Sequence, residues 1–146
     1  YRGLGTREEA KKRVFAWLYN PNSEDKLTSR YYDRGKVKDS FFSDGEVKTI
    51  FGRRIESDDY HAFNYIIQST TSDLFMKQMI KVHDFLKDKK SFIAFLIHDS
   101  LVIDFDKSEL NHINEIRQFF SQTIFGDFRS SIKIGKNYGE MKEWKL

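Results

Sequence analysis

The chain has 146 residues, with 25 Lys+Arg against 22 Asp+Glu for a formal charge of +3, and is 39% hydrophobic and 32% charged. That length fits one domain, or one domain with an appendage, and 14 Phe, 7 Tyr and 2 Trp exclude a disordered chain. The lack of cysteine excludes a disulfide scaffold, a thiolate nucleophile and a Cys-ligated metal; the longest apolar run, Phe92 to Ile97, is far short of the roughly 20 residues of a membrane-spanning helix.

The first five residues, Tyr1-Arg2-Gly3-Leu4-Gly5, have no initiator Met and no signal-peptide core, and read as an internal cut point. Residues 1–40 hold ten Lys/Arg and six Asp/Glu, so the basic surplus lies at the front, as a solvated face or a weak pointer to a polyanion. Thr6-Arg7-Glu8-Glu9 is a capping box that opens a helix running to Tyr19, and Asn20 ends it because the residue before Pro21 is pushed out of the α region. Ala10, Val14, Trp17 and Leu18 form its apolar stripe, whereas Arg7, Lys11, Phe15 and Tyr19 recur every fourth residue as a second ridge. Such a ridge is either an ordinary surface helix or a grip on a nucleoside triphosphate, with cations on the phosphates and aromatics against sugar and base. Residues 20–45 open and close with turn formers, and a short helix is expected around Leu27 to Arg34.

From Glu46 the pattern is that of an α+β unit. Val47 to Phe51 alternates as a strand and ends at Gly52-Arg53-Arg54. A long helix from about Asp59 to Phe85 follows, with Phe63, Ile66, Ile67, Leu74, Met79 and Ile80 as its core stripe. Its other face carries His61, Asn64, Gln68 and Thr71, either a hydrated surface or amides suited to the minor-groove acceptors common to all base pairs. Phe92–Ile97 and Leu101–Phe105 read as a hairpin with the polar tip His98-Asp99-Ser100. A helix from Ser108, its cap, to Gln122, a strand from Ser131 to Gly135 and an exposed tail complete the chain. At the hairpin tip Asp99 is either a turn former or a carboxylate fixed by a rigid sheet to hold a hard divalent cation. A His-Asp phosphohydrolase centre would need further ligands, and His61, His83 and His112 have no matching spacing.

The order of these segments carries a resemblance. Arg7-x3-Lys11-x3-Phe15-x3-Tyr19 resembles motif B of family A DNA polymerases, the fingers helix that binds the incoming deoxynucleotide. Val47-x-Thr49-x-Phe51-Gly52-Arg53-Arg54 looks like the strand that follows it, and Asn64-Tyr65-Ile66-Ile67-Gln68-Ser69-Thr70-x2-Asp73 is similar to the palm helix. His98-Asp99-Ser100 resembles motif C.

This resemblance implies a partial fingers subdomain over residues 1–45 and a palm subdomain over 46–146, an antiparallel sheet with packed helices, whose motif C hairpin spans 91–105. It implies a template-directed DNA polymerase in which Arg7, Lys11, Phe15 and Tyr19 bind the nucleotide, Asn64, Gln68 and Arg54 contact DNA, and His98 positions the primer terminus. Asp99 would be the catalytic ligand of two Mg²⁺ ions. Primer-template DNA and dNTPs are the implied partners, with a processivity factor or other replisome proteins beside them, in a bacterial or phage-infected cytoplasm. Asn20 stands where the family usually has Gly, Tyr60 where many members have Arg, and the connection to Gly52 is short, which points to a phage-type enzyme. Ser100 is also found in single-subunit RNA polymerases, which are the rival reading, beside a non-catalytic nucleic-acid-binding module. No Asp precedes Asp25, so the second carboxylate of motif A is missing; the chain is expected to be a C-terminal fragment that does not synthesise DNA alone.

Overall fold

The structure is a computed structural model that describes residues 5–20 and 22–144. Helices and short antiparallel strands form an α+β arrangement in two compact units, Tyr1–Asp73 and Leu74–Leu146.

Helix α1 (Arg7–Tyr19) starts as its sequence dictates. Thr6 Oγ1 accepts from the Glu9 N–H while the Glu9 carboxylate accepts from the Thr6 N–H at 2.8 Å. Asn20 closes the helix in an extended conformation, and Pro21, expected to force that ending, lies outside the described residues. The inward stripe is the predicted one, with Ala10 and Trp17 buried and Val14 and Leu18 half-buried. Trp17 is the anchor: its ring meets Phe63 edge-on at 5.6 Å and its Nε1 donates to Ser29 Oγ at 3.0 Å.

Where one short helix is expected, two form: α2 (Lys26–Tyr31) and α3 (Arg34–Phe41). Each has its own aspartate cap. Asp25 accepts from the Leu27 and Thr28 N–H groups, and Asp33 from that of Lys36. The strand predicted over 47–51 is shorter and sits mid-sheet, as β1 (Phe42–Ser43), β2 (Glu46–Lys48) and β3 (Arg54–Glu56) pair antiparallel in that order. Asp44 and Gly45 both take positive φ, 54° and 77°, giving the primed turn that joins β1 to β2. Val47 is fully buried with Ala62 and Ile66, ringed by Val37, Phe41, Phe42 and Ile55.

Helix α4 (Asp59–Leu86) begins at Asp58, whose carboxylate accepts from the His61 N–H at 2.8 Å. Its predicted stripe needs correction. Phe63 and Ile66 are buried and Leu74 and Met79 half-buried, but Ile67 and Ile80 are 37% and 50% exposed. Ala62, Ser69, Gln78, Val82 and Leu86 complete the buried face instead. A buried glutamine is tolerated because it is satisfied: Gln78 Nε2 donates to the Phe119 and Gln122 carbonyls at 2.8 and 2.6 Å.

In the second unit β4 (Phe92–Ile97) and β5 (Ser100–Asp104) form the predicted hairpin. Its Ile93, Leu101 and Ile103 pack on Val82, Leu86 and Ile116, the last from helix α5 (Ile113–Ser121). The helix expected from Ser108 opens instead as a 3-10 turn, Lys107–His112, and its cap is Asp106, which accepts from the Ser108 N–H at 2.8 Å. Two small hairpins follow, β6 (Gln122–Thr123) with β7 (Gly126–Asp127) and β8 (Ile132–Ile134) with β9 (Lys142–Trp144). The expected tail therefore contains a paired strand. Gly135 permits the return, since a Cβ there would lie 2.8 Å from the Glu140 carbonyl oxygen.

Candidate functional site

Burial of Ala10 and Trp17 turns Arg7, Lys11, Phe15 and Tyr19 to solvent, and all four are exposed. Lys11 Nζ lies 5.7 Å from the Phe15 ring centroid and the Phe15 and Tyr19 rings are 6.1 Å apart, so the ridge is continuous. Arg7 meets Glu8 only at 3.7 Å, with both side chains more than two-thirds exposed, a contact that water screens. The ridge thus offers two accessible cations followed by two aromatic faces.

The last turn of α1 has no basic residue of its own. Arg34, at the start of α3, serves it: Nη1 donates to the Trp17 carbonyl at 2.7 Å and to the Asn20 carbonyl at 2.8 Å, with the guanidinium 4.8 Å from the Trp17 ring. Sequence reasoning missed this contact, because 17 and 14 residues separate donor from acceptors and no local pattern marks it.

On α4, Gln68 Nε2 donates to Asn64 Oδ1 at 3.0 Å, which joins the two predicted amides on one face. Among the described residues the Asn64 amide nitrogen and the Gln68 carbonyl oxygen have no further partner. The two neighbouring arginines have different fates. Arg53 is pinned, its Nε 3.0 Å from Asp73 Oδ1 and its Nη2 donating to the Ser69 carbonyl at 2.9 Å, while Thr49 Oγ1 donates to Asp73 Oδ2. Arg54 stays on the sheet surface, 66% exposed, meeting Glu46 at 3.1 Å.

Ile97 pairs with Ser100, so the β4–β5 loop is His98-Asp99 alone and Ser100 belongs to the strand. His98 takes φ of 50°, in the left-handed region, which makes so short a reversal possible. Both loop residues are exposed, and the Asp99 carboxylate has no partner among the described residues. The other end of the hairpin is fastened. The Glu109 carboxylate accepts from the Lys90 and Ser91 N–H groups at 3.0 and 2.9 Å and from Ser91 Oγ at 2.6 Å, and Ser91 Oγ accepts from the Asp106 N–H. The Ser91 hydroxyl is the main cause holding the Glu109 carboxyl below the usual glutamate range. Asp106-x2-Glu109 has capping-box spacing, yet Glu109 closes the hairpin and not its own helix.

One carboxylate is not a metal centre. A hard divalent cation takes about six or more oxygen ligands, and among the described residues no group of three or more His, Asp or Glu side chains is placed to hold a metal ion. The two Mg²⁺ ions implied by the resemblance therefore do not find a ligand set in these residues. Among the described residues no helix is long and apolar enough to cross a membrane.

Comparison with known proteins finds DNA polymerases. DNA polymerase I of Borreliella burgdorferi is 32% identical over 85 residues, covering 55% of this chain and 9% of that protein. DNA polymerase I of Aquifex aeolicus is 33% identical over 97 residues, 62% of this chain and 16% of the relative. A DNA polymerase of Bacillus phage SP01 is 26% identical over 113 residues, 67% of this chain and 12% of its own length. The chain thus spans under a fifth of each of these relatives. The family model described as DNA polymerase family A matches residues 6–144, from the capping threonine of α1 to the last residue of β9, and the chain belongs to that family.

Proposed function

We propose that these residues are the nucleotide-binding and primer-end segment of a DNA-directed DNA polymerase, with 1–45 part of the fingers and 46–146 part of the palm. The observation that carries the reading is the α1 ridge, in which two exposed cations precede two exposed aromatics on a helix whose opposite face is buried. Arg7 and Lys11 neutralise triphosphate oxygens, and Phe15 and Tyr19 pack against sugar and base. Asn64 and Gln68 touch the duplex minor groove without reading sequence, and Arg54 contacts a phosphate. His98 positions the primer terminus. Asp99 would contribute one carboxylate to a divalent cation that activates the primer 3′-hydroxyl, the other ligands coming from outside the described residues; the setting proposed is the cytoplasm of a bacterium or a phage-infected cell. A processivity factor would be a further partner.

The test is primer extension by the full-length protein with dNTPs and NTPs in competition. Preference for dNTPs, with extension abolished in Asp99→Asn and primer-template affinity kept, is expected. Preference for NTPs would favour a single-subunit RNA polymerase, supported by Ser100 after the His-Asp pair. Undiminished extension in Asp99→Asn would remove Asp99 from the chemistry.

A further inference from the structure

Helix α1 ends without the usual means of satisfying its last carbonyls. Its last turn has no basic residue, and Asn20 leaves it extended, at φ −113°, not in the left-handed turn that commonly closes a helix. Arg34 supplies what is missing. One nitrogen, Nη1, donates to the carbonyls of both Trp17 and Asn20, at 2.7 and 2.8 Å. These acceptors straddle Tyr19. The guanidinium is itself steadied 4.8 Å from the indole of Trp17, a residue only 3% exposed and held by Phe63 and Ser29. Tyr19 is 52% exposed and meets Phe15 at 6.1 Å. A backbone fixed on both sides of an open side chain presents that side chain to something else.

We propose that Arg34 is a positioning residue for Tyr19: by clamping the turn on either side, it fixes where the Tyr19 ring meets the nascent base pair, and so sets discrimination between matched and mismatched nucleotides. The proposal rests on α1 being the nucleotide-binding helix. A flat ring rejects a misshapen pair only as far as it does not yield, and small misplacements of a positioning group are costly in rate. Arginine suits the task better than lysine, because a planar guanidinium near the indole is steadied by the ring while its Nη1 donates to the carbonyls, whereas a lysine ammonium keeps only the donation.

The experiment is single-nucleotide incorporation by the full-length polymerase, comparing kcat/KM for the matched and a mismatched dNTP in wild type, Arg34→Ala, Arg34→Lys, Tyr19→Ala and the doubles combining Tyr19→Ala with each Arg34 change. Arg34→Ala is expected to lower the matched-to-mismatched ratio about tenfold. Arg34→Lys should recover part of that loss. Neither Arg34 change should lower the ratio further once Tyr19 is alanine, since a residue that acts through Tyr19 then has nothing to act on. An unchanged ratio in Arg34→Ala, or losses that add in the doubles, overturns the proposal and leaves the nucleotide role of α1 standing. An unchanged ratio in Tyr19→Ala likewise overturns the proposal, because Tyr19 is the residue through which Arg34 is held to act. Should Arg34→Ala not fold, Arg34→Lys carries the same cycle: a partial loss that vanishes beside Tyr19→Ala supports the clamp, and a ratio equal to wild type overturns it.

Discussion

Arg53 and Arg54 are adjacent in sequence and do different work. The first is spent within the protein on Asp73 and the Ser69 carbonyl, whereas among the described residues the second meets the half-buried Glu46 carboxylate, which a phosphate can displace. Arg54→Ala should therefore weaken binding of the full-length protein to duplexes of different sequence about equally and reduce the slope of log K against log salt by about 1. Titrations at several salt concentrations measure this, and an unchanged slope would take Arg54 off the DNA backbone. Arg53→Ala should instead lower thermal stability, because it leaves the half-buried Asp73 carboxylate without its cation. Neither fate could be read from the Gly52-Arg53-Arg54 motif alone. The partners of Arg53 lie 16 and 20 residues away, and only the packing of the β2–β3 turn on α4 distinguishes the two side chains.

At the level of elements, α4 shows what periodicity resolves and what it does not. Ile66 lies in the first unit's core and Ile80 is half exposed, although both belong to the predicted apolar stripe. Ile66→Ala should cost about 2–5 kcal/mol in denaturant unfolding, and Ile80→Ala only about 0.5 kcal/mol. Equal costs would contradict the observed face. The hairpin base makes a pH prediction. Glu109 has its folded pKa held below its ordinary value of 4.5, chiefly by the Ser91 hydroxyl. Its contribution is thus complete above the unfolded pKa and is lost as pH falls through the lower folded one. Unfolding measured across acid pH should show wild type losing stability below about 4.5 more steeply than Glu109→Gln. Parallel curves would contradict the clamp. The hairpin itself was legible because two short apolar, β-prone runs on either side of a polar tip are a local signal. The turn at Asp44-Gly45 was legible as a turn, but the two-residue strand before it was not, because its pairing with β2 has no local signal. The clamp was hidden, since Glu109 reaches back 18 and 19 residues to Ser91 and Lys90.

For the whole molecule, the α+β class, the exposed α1 ridge and the open hairpin tip all followed from short-range patterns. The caps at Asp33 and Asp106 and the final β8–β9 pair did not, because each depends on where the neighbouring chain turns. The isolated 146-residue chain should show no template-dependent, Mg²⁺-dependent extension, since its described residues gather no carboxylate cluster for the metal. Extension by the purified chain would contradict that expectation. In the proposed function α1 holds the nucleotide and the hairpin tip serves its reaction. It is tested most directly by single-turnover incorporation as a function of dNTP concentration, in the full-length protein with Lys11→Ala or Asp99→Asn. Lys11→Ala is expected to raise the half-saturating dNTP concentration about tenfold or more, and Asp99→Asn to lower the maximal rate by about a thousandfold or more with nucleotide affinity nearly unchanged. Loss of nucleotide affinity in Asp99→Asn together with unaltered affinity in Lys11→Ala would contradict it.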